Sequence, residues 1–212
     1  MRGSHVIALV LTASLALAPA AAAKHKRKHR CAISGGYVAL KSKEAVILKR
    51  NVAYSSLEDA TEYYGCLRKR KRPFFIASQS GNQYGSSQIG PVVLRGVSFG
   101  YALSAGDINN DCRAWVSVVS IRTRNQRYSQ ATPLGNGKFG ACPSVSKLAL
   151  TRRGQAAWTA GQGGQRFVRK LDSAGPGALD EGAGIDLKSL ALADDGVASW
   201  INGGEPRTAQ LR

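Results

Sequence analysis

From Gly36 onward the apolar positions fall in short runs of β-branched, aromatic and small residues separated by turn signals, a pattern of strands. Tyr37–Leu40 and Ala45–Lys49 flank the polar stretch Lys41-Ser42-Lys43-Glu44. Phe74–Ala77, Pro91–Leu94, Phe99–Ala105, Arg113–Ile121, Val145–Leu150, Gln155–Ala160 and Phe167–Leu171 continue the series. No long 3.6-residue periodicity interrupts it. One short stretch competes: Ser55-Ser56-Leu57-Glu58 fits a capping box, and Ala60, Tyr63 and Tyr64 could continue two helical turns. The strand reading, Tyr63–Leu67 after a loop, is preferred.

The chain also repeats itself. Leu148-Ala149-Leu150 recurs as Leu190-Ala191-Leu192, and the same offset of 42 relates Gly154 to Gly196, Trp158 to Trp200 and Gly161 to Gly203. Each copy reads as a strand, a tight turn ending in Gly, a strand bearing Trp, a Gly-rich turn and a further strand, Arg166–Leu171 or Arg207–Leu211. Val92–Gly106 and Cys112–Arg122 repeat the pattern more loosely, with Gly106 in the place of Gly161. A period near 42 lies in the ~40–45 range of four-stranded propeller blades. These residues resemble the blades of secreted bacterial β-propeller-like proteins, of the broad WD40-like and TolB-like kind. The resemblance covers residues 90–212 and, more faintly, 36–78. It implies an all-β, antiparallel repeat architecture and says nothing of activity. The 189 residues that follow residue 23 hold only about four and a half repeats of this length, so a small propeller, an open part of one, and a β-sandwich of stacked hairpins all remain open. Equivalent positions in successive repeats imply that Trp158 and Trp200 are core, and Trp115, in the apolar run Ala114–Val119, is read the same way.

The first residues have a different pattern. Met1–His5 is short and carries Arg2, Val6–Ala18 is almost wholly apolar, Pro19 breaks it, and Ala20–Ala23 offers small residues for cleavage. Residues 1–23 therefore read as a signal peptide, since ~13 apolar residues are fewer than the ~20 of a spanning helix. A retained anchor is the rival, because the cations after Ala23 outnumber Arg2 and would oppose export under the positive-inside rule. After cleavage no spanning segment is left, and the expected location is secreted or extracytoplasmic, with residues 24–35 expected to be a basic disordered tail ahead of the 36–212 all-β repeat domain.

Charge then sharpens the picture. The 212-residue chain has 30 Lys and Arg against 13 Asp and Glu, a net +17. The excess is uneven, for residues 24–171 hold 26 cations and 6 acids while residues 172–212 hold 3 and 7. Lys24, Lys26, Arg27, Lys28 and Arg30 form one cluster, and Arg68, Lys69, Arg70, Lys71 and Arg72 a second. Such clusters bind polyanions electrostatically, or they are merely solvated. Cys31, Cys66, Cys112 and Cys142 are even in number and have no C-x-x-C spacing, which points to disulfides rather than metal. Three pairings are possible. The neighbour pairs Cys31–Cys66 and Cys112–Cys142 are favoured because each closes a loop of one or two hairpins, and the first would bring both basic clusters to one face.

Catalytic chemistry finds little to stand on. His5, His25 and His29 are the only histidines and all precede the domain, so no His-dependent triad or His-ligated metal can form within it. Asp107, Asn109 and Asp111 have the spacing of half a calcium loop, but Cys112 and Val118 stand where Gly and Glu are needed. An Asn/Asp-rich hairpin turn explains the same residues, as a β-turn explains Asp194-Asp195-Gly196. The expectation is a non-enzymatic extracytoplasmic binding module without cofactor, meeting an anionic wall polymer, polysaccharide or other polyanion and no specific nucleic acid. A structural domain whose charge only confers solubility is the alternative, and a carboxylate-based hydrolase a distant third.

Overall fold

The computed structural model describes residues 31–212 apart from 56–57, 71, 83, 108, 110, 135–136 and 138–141. The expected signal peptide and the Lys24–Arg30 cluster lie outside the described residues. Every regular element described is a strand: β1 (Tyr37–Lys41), β2 (Ala45–Ser55), β3 (Glu58–Leu67), β4 (Phe74–Asn82), β5 (Gly85–Arg95), β6 (Ser98–Asp107), β7 (Cys112–Ser120), β8 (Gln126–Gln130), β9 (Ser144–Leu150), β10 (Ala156–Gln162), β11 (Gln165–Asp172), β12 (Gly175–Glu181), β13 (Ala191–Leu192), β14 (Val197–Asn202) and β15 (Glu205–Gln210). All pairings are antiparallel between sequence neighbours, in sheets of eight, four and three strands that do not close on themselves. The capping-box stretch is thus not helical where it is described, because Tyr63 and Tyr64 pair with Lys49 and Leu48 across β2.

The eight-stranded sheet divides where β4 meets β5. Those strands pair only at Gly81–Ser86 and Asn82–Gly85. Beyond that point side chains bridge the gap: the Ile89 N–H donates to Gln79 Oε1 (2.8 Å) and the Ser80 N–H to the Ser87 hydroxyl (2.9 Å). The result is four successive meander layers, β1–β4, β5–β8, β9–β12 and the three-stranded β13–β15. Each is apolar toward its neighbour, as strand alternation requires. Ala45, Ile47 and Tyr63 of the first layer meet Phe99, Tyr101, Val119 and Ile121 of the second. Ala102, Val116 and Val118 of the second meet Leu148, Leu150 and Trp158 of the third. The opposite face of the third, Ala157 and Val168, meets Leu190, Leu192, Trp200 and Leu211.

The repeat holds through its first hairpin. Ala156 pairs with Leu150, and Ala198 pairs with Leu192, at the offset of 42. In both turns the first residue's N–H donates to a carbonyl four residues on, Thr151 to Gln155 and Ala193 to Val197. Gly154 (φ +82°) and Gly196 (φ +93°) close them in left-handed conformations that glycine adopts without strain. Past the tryptophans the register changes. Gly161 lies inside β10, opposite Arg166, whereas Gly203 lies in a turn. The counterpart of Gly203 (φ +62°) is Gly163 (φ +58°), because the first turn glycine comes seven positions after Ala156 in β10 but only five after Ala198 in β14. Trp158 and Trp200 are buried, Trp158 completely, its indole N–H donating to the Ala131 carbonyl (2.8 Å). Trp115 is only half-buried. Alternation along β7 turns it away from the third layer, opposite in facing to Val116 and Val118.

Two disulfides, Cys31–Cys66 and Cys112–Cys142, have Cα separations of 5.7 and 5.5 Å, and no described cysteine is free. These are the neighbour pairs expected from the sequence.

Candidate functional site: a cationic end of the layers

In a meander, alternate turns lie at the same end. The turns β1–β2, β3–β4, β5–β6, β7–β8, β9–β10, β11–β12 and β13–β14 therefore share one end, and contacts between layers confirm it. The Ser42 hydroxyl donates to the Gly96 carbonyl (2.7 Å), Arg122 pairs with Glu44 (3.2 Å), the Ser98 hydroxyl donates to the Arg152 carbonyl (3.2 Å), and Arg152 pairs with Asp194 (3.5 Å). Cys31–Cys66 is at this end too, Cys66 being one residue before the end of β3.

These turns carry Lys43, Arg68, Lys69, Arg70, Arg72, Arg122, Arg124, Arg152 and Arg153. Two adjoining cavities open among them. The larger, 450 Å³, is lined by Lys43, Glu44, Leu67, Arg68, Lys69, Arg70 and Arg122. The smaller, 150 Å³, is lined by Leu67, Arg70, Arg72, Phe74, Ile121 and Arg124. Further along the same end, Arg127, Arg152 and Arg153 border a third hollow of 540 Å³ between layers two and three. Arg127 is structural, donating to the carbonyls of Asp172 (2.8 Å) and Gly154 (2.6 Å).

Of the cations expected from the sequence to bind a polyanion, Arg68, Lys69, Arg70 and Arg72 lie here. Lys71 and the segment Lys24–Arg30 are outside the described residues, although Arg30 directly precedes the bridged Cys31. Lys43, Arg122, Arg124, Arg152 and Arg153 were not singled out. The signal for them was their placement in alternate turns of the strand series.

Asp172, at the end of β11, anchors this end from beneath. Burial would raise its carboxyl pKa, but the Lys170 ammonium (2.6 Å) and the N–H groups of Arg212 and Ala174 (2.9 Å each) outweigh burial and hold it below the ordinary carboxylate value.

The opposite end differs. Asp107, Asn109 and Asp111 lie in its β6–β7 turn, where the Asp107 carboxylate accepts the N–H groups of Asn109 (2.9 Å) and Asp111 (3.1 Å) in an Asx-type turn. No group of three metal-binding side chains occurs among the described residues. A polar groove of 620 Å³ opens where β4 and β5 part, with Asp59 its one acid. The Asp194-Asp195-Gly196 turn belongs to the cationic end, where Asp195 Oδ1 accepts the Val197 N–H (3.1 Å).

No protein-family model and no curated protein matches this chain. Its chemistry is therefore read from the site alone.

Proposed function

We propose that the protein is an extracytoplasmic, non-enzymatic module that docks its cationic end on an anionic polymer. The observation that carries this reading is the gathering of Lys and Arg from four alternate turns at one end, against Glu44, Asp172, Asp194 and Asp195. Crowded cations repel one another, and a polyanion relieves that repulsion while releasing its own counterions. The Cys31–Cys66 bridge supports adding Lys24–Arg30 to the same surface. Two intramolecular disulfides favour an oxidising compartment, in keeping with export directed by residues 1–23.

We also read the four layers as blades of an open, propeller-like fan. Support comes from the approach of the first strands of successive layers, β1 to β5, β5 to β9 and β9 to β13, as if about an axis. A sandwich of stacked sheets shares the face-to-face packing but does not require that convergence.

The test is retention on immobilised heparin as a function of salt. Retention should fall steeply with salt, the dependence should weaken when residues 24–30 are deleted, and neutralising Arg68–Arg72 as well should nearly abolish it. A protein that is not retained at low salt has a merely solvated surface, and the solubility reading then replaces this one.

A further inference from the structure

The smaller cavity of the cationic end has features that a diffuse basic surface does not need. Its floor is apolar, made by Leu67, Phe74 and the buried Ile121, and its rim is three arginines, Arg70, Arg72 and Arg124, with no acid. None of the three has an acidic partner among the described residues. They also come from two layers: Arg70 and Arg72 from the β3–β4 turn, Arg124 from the β7–β8 turn.

Arg124 is held there by two devices. Its guanidinium lies over the Phe74 ring, 5.1 Å from the centroid, a cation–π contact that fixes the side chain. Its backbone is left-handed (φ +64°), the one described residue other than glycine with positive φ. The turn enforces this conformation, since the Arg124 N–H donates to the Ser120 carbonyl (2.7 Å) and the Ser120 N–H to the Asn125 carbonyl (2.9 Å). Glycine or asparagine would occupy that position with less strain. A bulky cation kept in a strained conformation points to use of its side chain.

We infer that this cavity is a subsite for a tetrahedral oxyanion, a phosphate or sulfate ester carried by the polymer. The inference rests on the polyanion reading above and deepens it. A carboxylate is planar and is satisfied by one guanidinium fork. A tetrahedral anion directs oxygens out of any one plane, so it can accept forks arriving from separate turns. At about 30 Å³ per water, 150 Å³ holds roughly five waters, room for one hydrated anion and too little for a chain of sugars. The apolar floor lowers the local dielectric and strengthens each charge-assisted bond. The 450 Å³ cavity shares Leu67 and Arg70 with it, giving the polymer a path onward. Phe74 is the cavity's one aromatic ring, and Arg124 occupies a face of it that a nucleic-acid base would need for stacking.

The test compares dextran derivatised with sulfate, phosphate or carboxymethyl groups at matched charge density, so that only the anion differs. The protein should bind the sulfate or phosphate form about tenfold more tightly than the carboxymethyl form at equal salt, and the stronger of the two arms identifies the ester. Arg124→Lys keeps the charge and the backbone but removes the fork, and it should abolish this preference with little loss on carboxymethyl dextran. Arg124→Gly relieves the left-handed strain and should lose the preference with the fold intact, as circular dichroism would verify. Arg153→Gln, at the same end but outside the cavity, should weaken all three alike. Equal binding of the three dextrans, or an Arg124→Lys variant that keeps the preference, overturns the subsite and leaves the polyanion reading standing. Failure to bind any of them overturns both. Duplex DNA bound more tightly than phosphate dextran of equal charge density would replace the ester subsite by duplex recognition.

Discussion

The two ends of the layers are built from the same kind of hairpin and carry opposite instructions. At the cationic end the turns are rich in Lys and Arg. At the other, the hairpin turns include Gly163-Gly164, Gly203-Gly204 and the Asp107–Asp111 loop, and Lys188 is the one described cation between strands. Each end has one disulfide. Strand packing treats the ends alike, so the difference is free to serve recognition. A net charge of +17 describes the whole chain poorly, because turn parity decides where the charge goes.

The disulfides give the strongest test of that contrast. By loop-closure entropy each should contribute about 4 kcal/mol for loops of 35 and 30 residues, so denaturant melts of Cys31→Ser/Cys66→Ser and Cys112→Ser/Cys142→Ser should show similar losses. Only the first should also weaken heparin binding, measured on the folded fraction, since Cys31–Cys66 lies at the cationic end and Cys112–Cys142 at the opposite one. Equal weakening by both would break the contrast.

Next is Asp172. Its carboxyl is below the ordinary value, so its contribution is present above about pH 4, the unfolded value, and is lost as pH falls through the lower folded one. Asp172→Asn should cost about 3 kcal/mol at neutral pH, since it strands the Lys170 ammonium. It should also flatten the acid limb of a stability-against-pH profile. An unchanged limb would mean that other carboxylates govern acid unfolding.

Single charges are a finer probe. Arg153→Gln should lower the salt slope of polyanion binding by about one counterion, and Lys188→Gln at the opposite end should leave it unchanged. The smallest effect belongs to Arg152–Asp194, whose side chains are 72% and 49% exposed. Asp194→Asn should change stability by no more than about 0.5 kcal/mol while slightly strengthening polyanion binding, because Arg152 loses its competitor. Weaker binding would show that Asp194 positions the arginine.

What could be read in advance depended on whether the information was local. Leu148, Leu150, Leu190, Leu192 and both buried tryptophans were legible because the chain repeats them at equal spacing. The disulfides followed from neighbouring hairpins. β8 escaped notice because Gln-Arg-Tyr-Ser-Gln has no apolar alternation, and β12 because Gly175-Pro176-Gly177 has the composition of a turn. Trp115 misled because a run of apolar residues does not say which face has a neighbouring layer. At the candidate site the Arg68–Arg72 cluster is contiguous and was visible. Lys43, Arg122, Arg124 and Arg153 are scattered, and only strand count and turn parity bring them together.

In the three-stranded sheet β15 is an edge, with no strand beyond it among the described residues. Gly203-Gly204 is a two-residue turn, so Asn202 and Glu205 exchange the hydrogen bonds next to it and Pro206, opposite Ile201, lies at a position whose nitrogen faces outward. That nitrogen has no hydrogen to offer, and Glu205 and Arg207 flank it with charge. A stray strand seeking to extend the sheet therefore meets a gap in the ladder and a charged border. Extension of this sheet by edge-to-edge pairing of a second copy at β15 is thereby disfavoured.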